Sequence, residues 1–296
     1  MNAPPLTRRR FLESTTLATA VALSAGSRAF AAGVNWPIGC FNRAWAKWPS
    51  EVALAGIRAA GYRLVGLISN HEDNPLALPT ATAESLAALK QQLAAGGLEA
   101  NLTALRYNED APDTDLEKSV LAQLDHSQAI GVRYVMTFGA DKPENHSRYF
   151  RLMTKAAGWA AERKLQLVLK PHGGISAAAD ELQRCLDAVA HPNFKLWYDA
   201  GNIIHYTGKD PAKELKPIAK HVTGFCAKDC LGPGGEVMIQ FGTGKVDFKG
   251  VFAVLKEVGF NGPIMVEGLK VGATPEETNG FAKANREFLE KVLGDL

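Results

Sequence analysis

Four polar segments in the C-terminal half of this chain each follow directly on an apolar run. They are Lys170-Pro171-His172-Gly173-Gly174, Asp199-Ala200-Gly201-Asn202, Cys226-Ala227-Lys228-Asp229 and Glu267-Gly268. These residue types handle charge and protons. Two carboxylates such as Asp199 and Glu267, gathered in one low-dielectric site, repel each other unless a cation lies between them. Either a divalent ion or the Lys170 ammonium would serve. His172, two residues past Lys170, shares its face if the extended chain continues that far. An imidazole there either ligates a metal or exchanges a proton near neutral pH. The metal candidates are therefore Asp199, Glu267 and His172, holding one divalent ion (Mn, Mg or Zn). A Cys226 thiolate would suit zinc and not magnesium. Lys228-Asp229 reads either as a substrate contact or as a salt-bridged loop entry.

The elements that must position these groups are visible as eight short apolar runs of β type. They are Trp36–Phe41, Arg63–Ser69, Glu99–Leu105, Arg133–Phe138, Leu165–Lys170, Phe194–Asp199, Val222–Ala227 and Pro263–Glu267. Helical periodicity fills intervals between them, over Ala83–Ala95, Asp115–Ile130, Val251–Val258 and Asn279–Val292. Gly61, Gly97, Gly131 and Gly259 stand just before strands, where a helix end often needs a left-handed residue. Eight such units in a chain of 296 residues match an α/β fold of the (β/α)8 barrel type, a single domain over residues 32–296. A doubly wound open sheet is the rival. Its dinucleotide version lacks the Gly-x-Gly-x-x-Gly fingerprint after any early strand. In a parallel barrel the C-terminal strand ends form the active site, and those ends are where the charged segments lie.

Composition narrows the function. With 46% apolar and 22% charged residues the chain folds around a sizeable core. Four scattered cysteines make no disulfide scaffold and no zinc knot. Thr7-Arg8-Arg9-Arg10-Phe11-Leu12, a weakly apolar run to Ala25 and Ala29-Phe30-Ala31 read as a signal peptide over residues 1–31. The run is too short and too polar to span a bilayer. Its arginine pair resembles the twin-arginine export signal, which implies a periplasmic or secreted protein. Without that segment, 29 basic residues face 30 acidic ones, a net charge of −1. Such a protein has no global electrostatic reason to seek nucleic acid or an anionic membrane, and a small carbohydrate fits better as partner. The oligomeric state stays open.

Several motifs together resemble the xylose-isomerase-like TIM barrels, the sugar isomerases and epimerases grouped with the type IV apurinic endonucleases (AP endonuclease family 2). They are Lys170-x-His172-Gly173-Gly174, Tyr198-Asp199-Ala200-Gly201-Asn202, Val222 to Asp229, Gly242-Thr243-Gly244-Lys245-Val246-Asp247-Phe248 and Gly259-Phe260-x-Gly262-x-Ile264-x-Val266-Glu267. The likeness implies a divalent ion held by Glu, Asp, His and Glu from strands five to eight. Asp199 and Glu267 match that set. Lys170 stands where the strand-five Glu is usual, Cys226 where the strand-seven His is usual, and Asn202 where a substrate-contacting His is frequent.

The expected function is an exported sugar isomerase or epimerase, or a lyase using the same enolisation, with an atypical metal site. Such chemistry needs a base beside a carbonyl and an electrophile for the enediolate oxygen. Glu267 is the expected base, Lys170 the electrophile, and His172 a proton donor or ligand. Asn202, Lys228 and Asp229 are the expected substrate contacts. Two alternatives remain: a non-catalytic periplasmic sugar-binding protein, and a nuclease, which the charge and the missing ligands disfavour. Trp36, Trp45 and Trp48 suit sugar stacking or plain packing.

Overall fold

The computed structural model describes residues 34–69, 71 and 81–296. The export signal expected over residues 1–31 lies outside them. Eight parallel strands close into a barrel in sequence order, each pairing with the next and the eighth with the first. They are β1 (Ile38–Phe41), β2 (Leu64–Leu67), β3 (Glu99–Ala104), β4 (Tyr134–Thr137), β5 (Gln166–Leu169), β6 (Phe194–Tyr198), β7 (Val222–Ala227) and β8 (Ile264–Val266). Helices wrap the outside: α1 (Ser50–Ala59), α2 (Ala83–Ala95), α3 (Asp113–Ile130), α4 (His146–Glu162), α5 (Ala179–Val189), α6 (Ala200–Thr207), α7 (Pro211–Leu215), α8 (Phe248–Glu257) and α9 (Pro275–Gly294). The fold is a single (β/α)8 barrel, as the spacing of the apolar runs led one to expect.

Most strands are one to three residues shorter than the apolar runs that announced them. The residues lost at the C-terminal ends include Lys170, Asp199 and Glu267, which leave the ladder to enter the barrel mouth. Helix α4 carries no leucine-rich stripe, so its periodicity is easily overlooked. Its buried face is Tyr149, Leu152, Met153, Ala156, Ala157 and Ala160, spaced three and four apart, with small residues allowing close approach to the sheet. Helix ends follow local chemistry. Thr82 and Ser85 form a reciprocal capping box on α2, and Gly131 ends α3 at φ 90°, a conformation that costs a side-chain-bearing residue about 1 kcal/mol or more.

Strand residues alternate between two cores. Outward-facing Val65, Val135, Leu167, Leu169 and Leu196 pack against the helices. Inward-facing Phe41, Leu102, Met136, Val168, Trp197, Cys226 and Met265 fill the barrel. Glycines make room for the largest of these: a Cβ on Gly224 would lie 2.1 Å from the Trp197 ring, and one on Gly66 2.1 Å from the Phe41 ring. The barrel is thus plugged below its mouth, so chemistry is confined to the layer above the plug. No helix among the described residues is long and apolar enough to cross a membrane.

Candidate active site

The inward positions of a strand recur every second residue. Two residues beyond the inward Phe41, Val168, Trp197, Cys226 and Met265 come Arg43, Lys170, Asp199, Lys228 and Glu267. The apolar plug is therefore capped by a charged layer, and the sequence offset between the two layers is two residues in every case.

The geometry of this layer is tight. The Lys170 ammonium contacts Glu267 Oε2 and lies 3.1 Å from Asp199 Oδ2. Lys228 Nζ lies 2.9 Å from Glu267 Oε1, 3.2 Å from Asp199 Oδ2, and donates to Asn202 Oδ1 at 3.0 Å. Arg43 Nη1 reaches Glu267 Oε1 from the rim at 2.9 Å. The two lysines and two carboxylates are at most 3% exposed. Asp199 Oδ1 accepts the Asn202 amide as the N-cap of α6, which fixes the carboxylate. Its Oδ2 makes no well-directed hydrogen bond, and two ammoniums hold it by charge alone. Lys228 folds inward because its neighbours lack side chains: a Cβ on Gly201 would be 2.8 Å from its Cγ and one on Gly268 2.9 Å.

Burial and pairing pull in opposite directions here, and pairing prevails. Burial favours a neutral Lys170, but Glu267 and Asp199 together raise its pKa above the ordinary lysine value. Burial likewise favours a neutral Glu267, but Lys170, Lys228 and Arg43 hold its carboxyl well below the usual range. Both groups are charged at neutral pH. Glu267, expected from sequence to be the base, is correspondingly a weak one, because taking a proton would leave three cations facing a neutral group.

A cavity of about 420 Å³ opens over this layer, with Lys170, Glu267 and Arg43 at its floor and Arg106, Phe138 and His172 on its wall. The His172 ring packs between Phe138 and Tyr206, at centroid distances of 5.2 and 5.3 Å, with Nε2 3.4 Å from the Tyr206 hydroxyl. Loss of water around the ring, and then the Lys170 and Lys228 charges, lower its pKa below the ordinary 6.5. It is neutral at pH 7 and available as a proton acceptor. Arg43 and Arg106 were not singled out from sequence, although each follows a strand end. Nothing in an arginine near a strand distinguishes a cavity wall from a solvated rim.

Not all the expected contacts meet substrate space. Asn202 and Lys228 belong to the buried cluster, one layer behind the cavity wall. Asp229 is a correction. Its Oδ1 accepts the amides of Cys230 (2.8 Å) and Val246 (3.1 Å), and its Oδ2 those of Gly242 and Gly244 (2.9 Å each). This carboxylate organises the loop after β7 and has no lone pair left for a sugar. The Gly242-Thr243-Gly244 turn exists to wrap it: Gly242 has φ 84°, and a Cβ on Gly244 would lie 2.2 Å from Asp229 Oδ1. Asp229→Ala should lower stability by about 2–3 kcal/mol, since buried amides lose their acceptor. Hydrogen exchange at Gly242, Gly244 and Val246 should quicken, and unchanged protection there would show that the loop is held otherwise. Trp36 and Trp45 are core: their indoles donate to Phe260 O and Asn279 Oδ1.

Asp199, Cys226 and Glu267 bring ligand atoms within 4.8 Å of one another, so their spacing alone would admit a metal ion. Their surroundings do not fit one. Two ammoniums already bridge both carboxylates at ion-pair distance, where a divalent ion would need oxygens at roughly 2.0–2.6 Å with no cation beside it. Burial raises the Cys226 thiol well above its ordinary pKa, leaving it protonated rather than a thiolate ligand. His172 lies outside this group.

The sequence model of the family described as xylose isomerase-like TIM barrel matches residues 54–292. The chain is 24% identical over 249 residues to L-ribulose-5-phosphate 3-epimerase UlaE of Salmonella paratyphi C, covering 78% of this chain and 86% of that one. Among solved structures, D-allulose 3-epimerase from Methylomonas sp. superposes with a TM-score of 0.70 at 20% identity, covering 88% and 99% of the two chains. A xylose isomerase-like TIM barrel protein from Mycobacterium smegmatis in complex with magnesium gives 0.73 at 15% identity, covering 88% and 97%. At these identities the solved structures establish a shared fold.

Proposed function

The chain belongs to the xylose isomerase-like TIM barrel family, and from that premise we propose that it is an exported enzyme that moves a proton beside the carbonyl of a small carbohydrate, as an epimerase or isomerase does. The observation that carries this reading is a cavity with a charged ammonium, Lys170, at its floor and a neutral imidazole, His172, on its wall. The names of the epimerases among its relatives support the same class. Export rests on Arg8-Arg9-Arg10 and the small residues at Ala29-Phe30-Ala31.

In the proposed reaction the sugar carbonyl oxygen meets the Lys170 ammonium, with Arg43 beside it. Charge that develops on this oxygen is stabilised by a donor already held in place, which avoids reorganisation as the proton leaves. His172 takes the proton from the adjacent carbon. The enediolate then regains a proton from solvent on its opposite face, as epimerisation requires, or from His172 at the former carbonyl carbon while a hydroxyl proton passes between the two oxygens, as isomerisation requires. Glu267 and Asp199 keep Lys170 protonated and aimed. This moves the base from Glu267 to His172, because efficient proton transfer wants a pKa near the working pH.

A sugar-binding protein without turnover is the second reading, favoured by the fully ion-paired state of Glu267. Incubation with ketoses and ketose phosphates in deuterated water separates the two. The enzyme reading expects deuterium beside the carbonyl, or an epimerised or isomerised product, from at least one sugar. Tight binding with neither would establish the binder. Glu267→Gln discriminates further. It should lower thermal stability, whereas a base of the ordinary kind would lose turnover by about 10² to 10⁴ with the fold untouched.

A further inference from the structure

We propose that Lys170 occupies the place of a divalent cation in this barrel mouth, and that Lys170 and Lys228 together supply the two positive charges such an ion would bring, so that the protein works without a metal. The inference rests on the proposed reaction only for its catalytic half; the absence of a metal site stands on geometry.

Three observations support it. Each ammonium bridges Asp199 and Glu267, so both carboxylates share both cations, as two carboxylates share one metal. Among the four buried groups, each at most 3% exposed, the charges already balance, two against two, and Arg43 adds a further positive charge to Glu267 from the rim. A further divalent ion would leave two uncompensated charges out of water, which is prohibitive. The third donor within reach, Cys226, packs into the apolar plug with Met136, Val168, Trp197 and Met265 and behaves as a small hydrophobe. The ammonium also differs from a metal in what it can do. It donates hydrogen bonds to a developing oxyanion and cannot be stripped by a chelator.

The test is titration of Mn2+ into the chelator-treated full-length protein, followed by calorimetry and by the spin signal of free Mn2+. The unmodified protein should bind none at millimolar concentration. Lys170→Glu exchanges the ammonium for a carboxylate and should acquire one Mn2+ per chain, at least about 100-fold tighter than the parent. If that variant does not fold, Lys170→Gln empties the same place of charge, and Mn2+ should then raise its Tm while leaving that of the parent unchanged. One Mn2+ per chain in the unmodified protein, lost in Asp199→Asn, would overturn the proposal. So would folded variants that show no gain in metal affinity. Failure of the deuterium experiment alone would remove the proposed reaction and leave this inference intact.

Discussion

Lys170→Met should destabilise the barrel by about 3–5 kcal/mol, the usual consequence of stripping one partner from a buried ion pair, which is a fall in Tm of roughly 6–20 °C for a domain of this size. Asp199 Oδ2 would be left facing one ammonium instead of two, and Glu267 Oε2 would lose its contact. A surface control makes the comparison: Lys155 pairs with Glu117 at 2.6 Å but is 53% exposed, so Lys155→Met should change stability by about 1 kcal/mol or less. Turnover should fall with Lys170→Met by about 10² to 10³, the worth of one preorganised oxyanion donor. The penalty also depends on pH. The depressed Glu267 pKa contributes stability above its unfolded value near 4.5, lost as pH falls through the folded value. The raised Lys170 pKa contributes stability below 10.5, lost as pH rises through the folded value. The gap between parent and variant should therefore be widest from about pH 5 to 10 and should narrow in acid. A Lys170→Met protein with the parent Tm would refute the coupled cluster.

His172→Asn should reduce kcat by about 10² to 10⁴ while shifting Tm little, since the ring lies at the cavity wall and not in the core. This pairing of effects is the opposite of the one expected for Glu267→Gln. In the parent, kcat/KM should rise with pH through a pKa below 6.5, because the neutral imidazole is the acceptor and the environment lowers its pKa. The variant should lack that limb. Tyr206→Phe removes the hydroxyl 3.4 Å from Nε2 and should shift the limb without abolishing activity. A full-strength His172→Asn enzyme, or an acid limb that survives the change, would return the base to Glu267.

The sequence alone determined the architecture. Eight apolar runs at regular spacing, four of them followed by segments of helical periodicity, can bury both faces of a parallel sheet only by closing or winding it, and length favoured closure. The same pattern pointed to the candidate site, because strand C-terminal ends share one rim whatever the tertiary detail. Lys170, Asp199 and Glu267 were recognisable there because charge directly after a buried strand is expensive unless it is paired.

Partnership was decided only in three dimensions. In sequence, Lys228 and Asp229 are adjacent and chemically complementary, so a shared role is the natural reading. Consecutive residues at a strand end point in opposite directions. Lys228 turns inward to the carboxylates, while Asp229 turns outward to four backbone amides. Arg43 and Glu267 are 224 residues apart and meet because the barrel closes β1 onto β8. The choice between metal and lysine was equally closed to sequence. It depends on whether two ammoniums reach the same oxygens, which is set by strand register, by the room that Gly201 and Gly268 leave for Lys228, and by the balance of desolvation against charge in a dry layer.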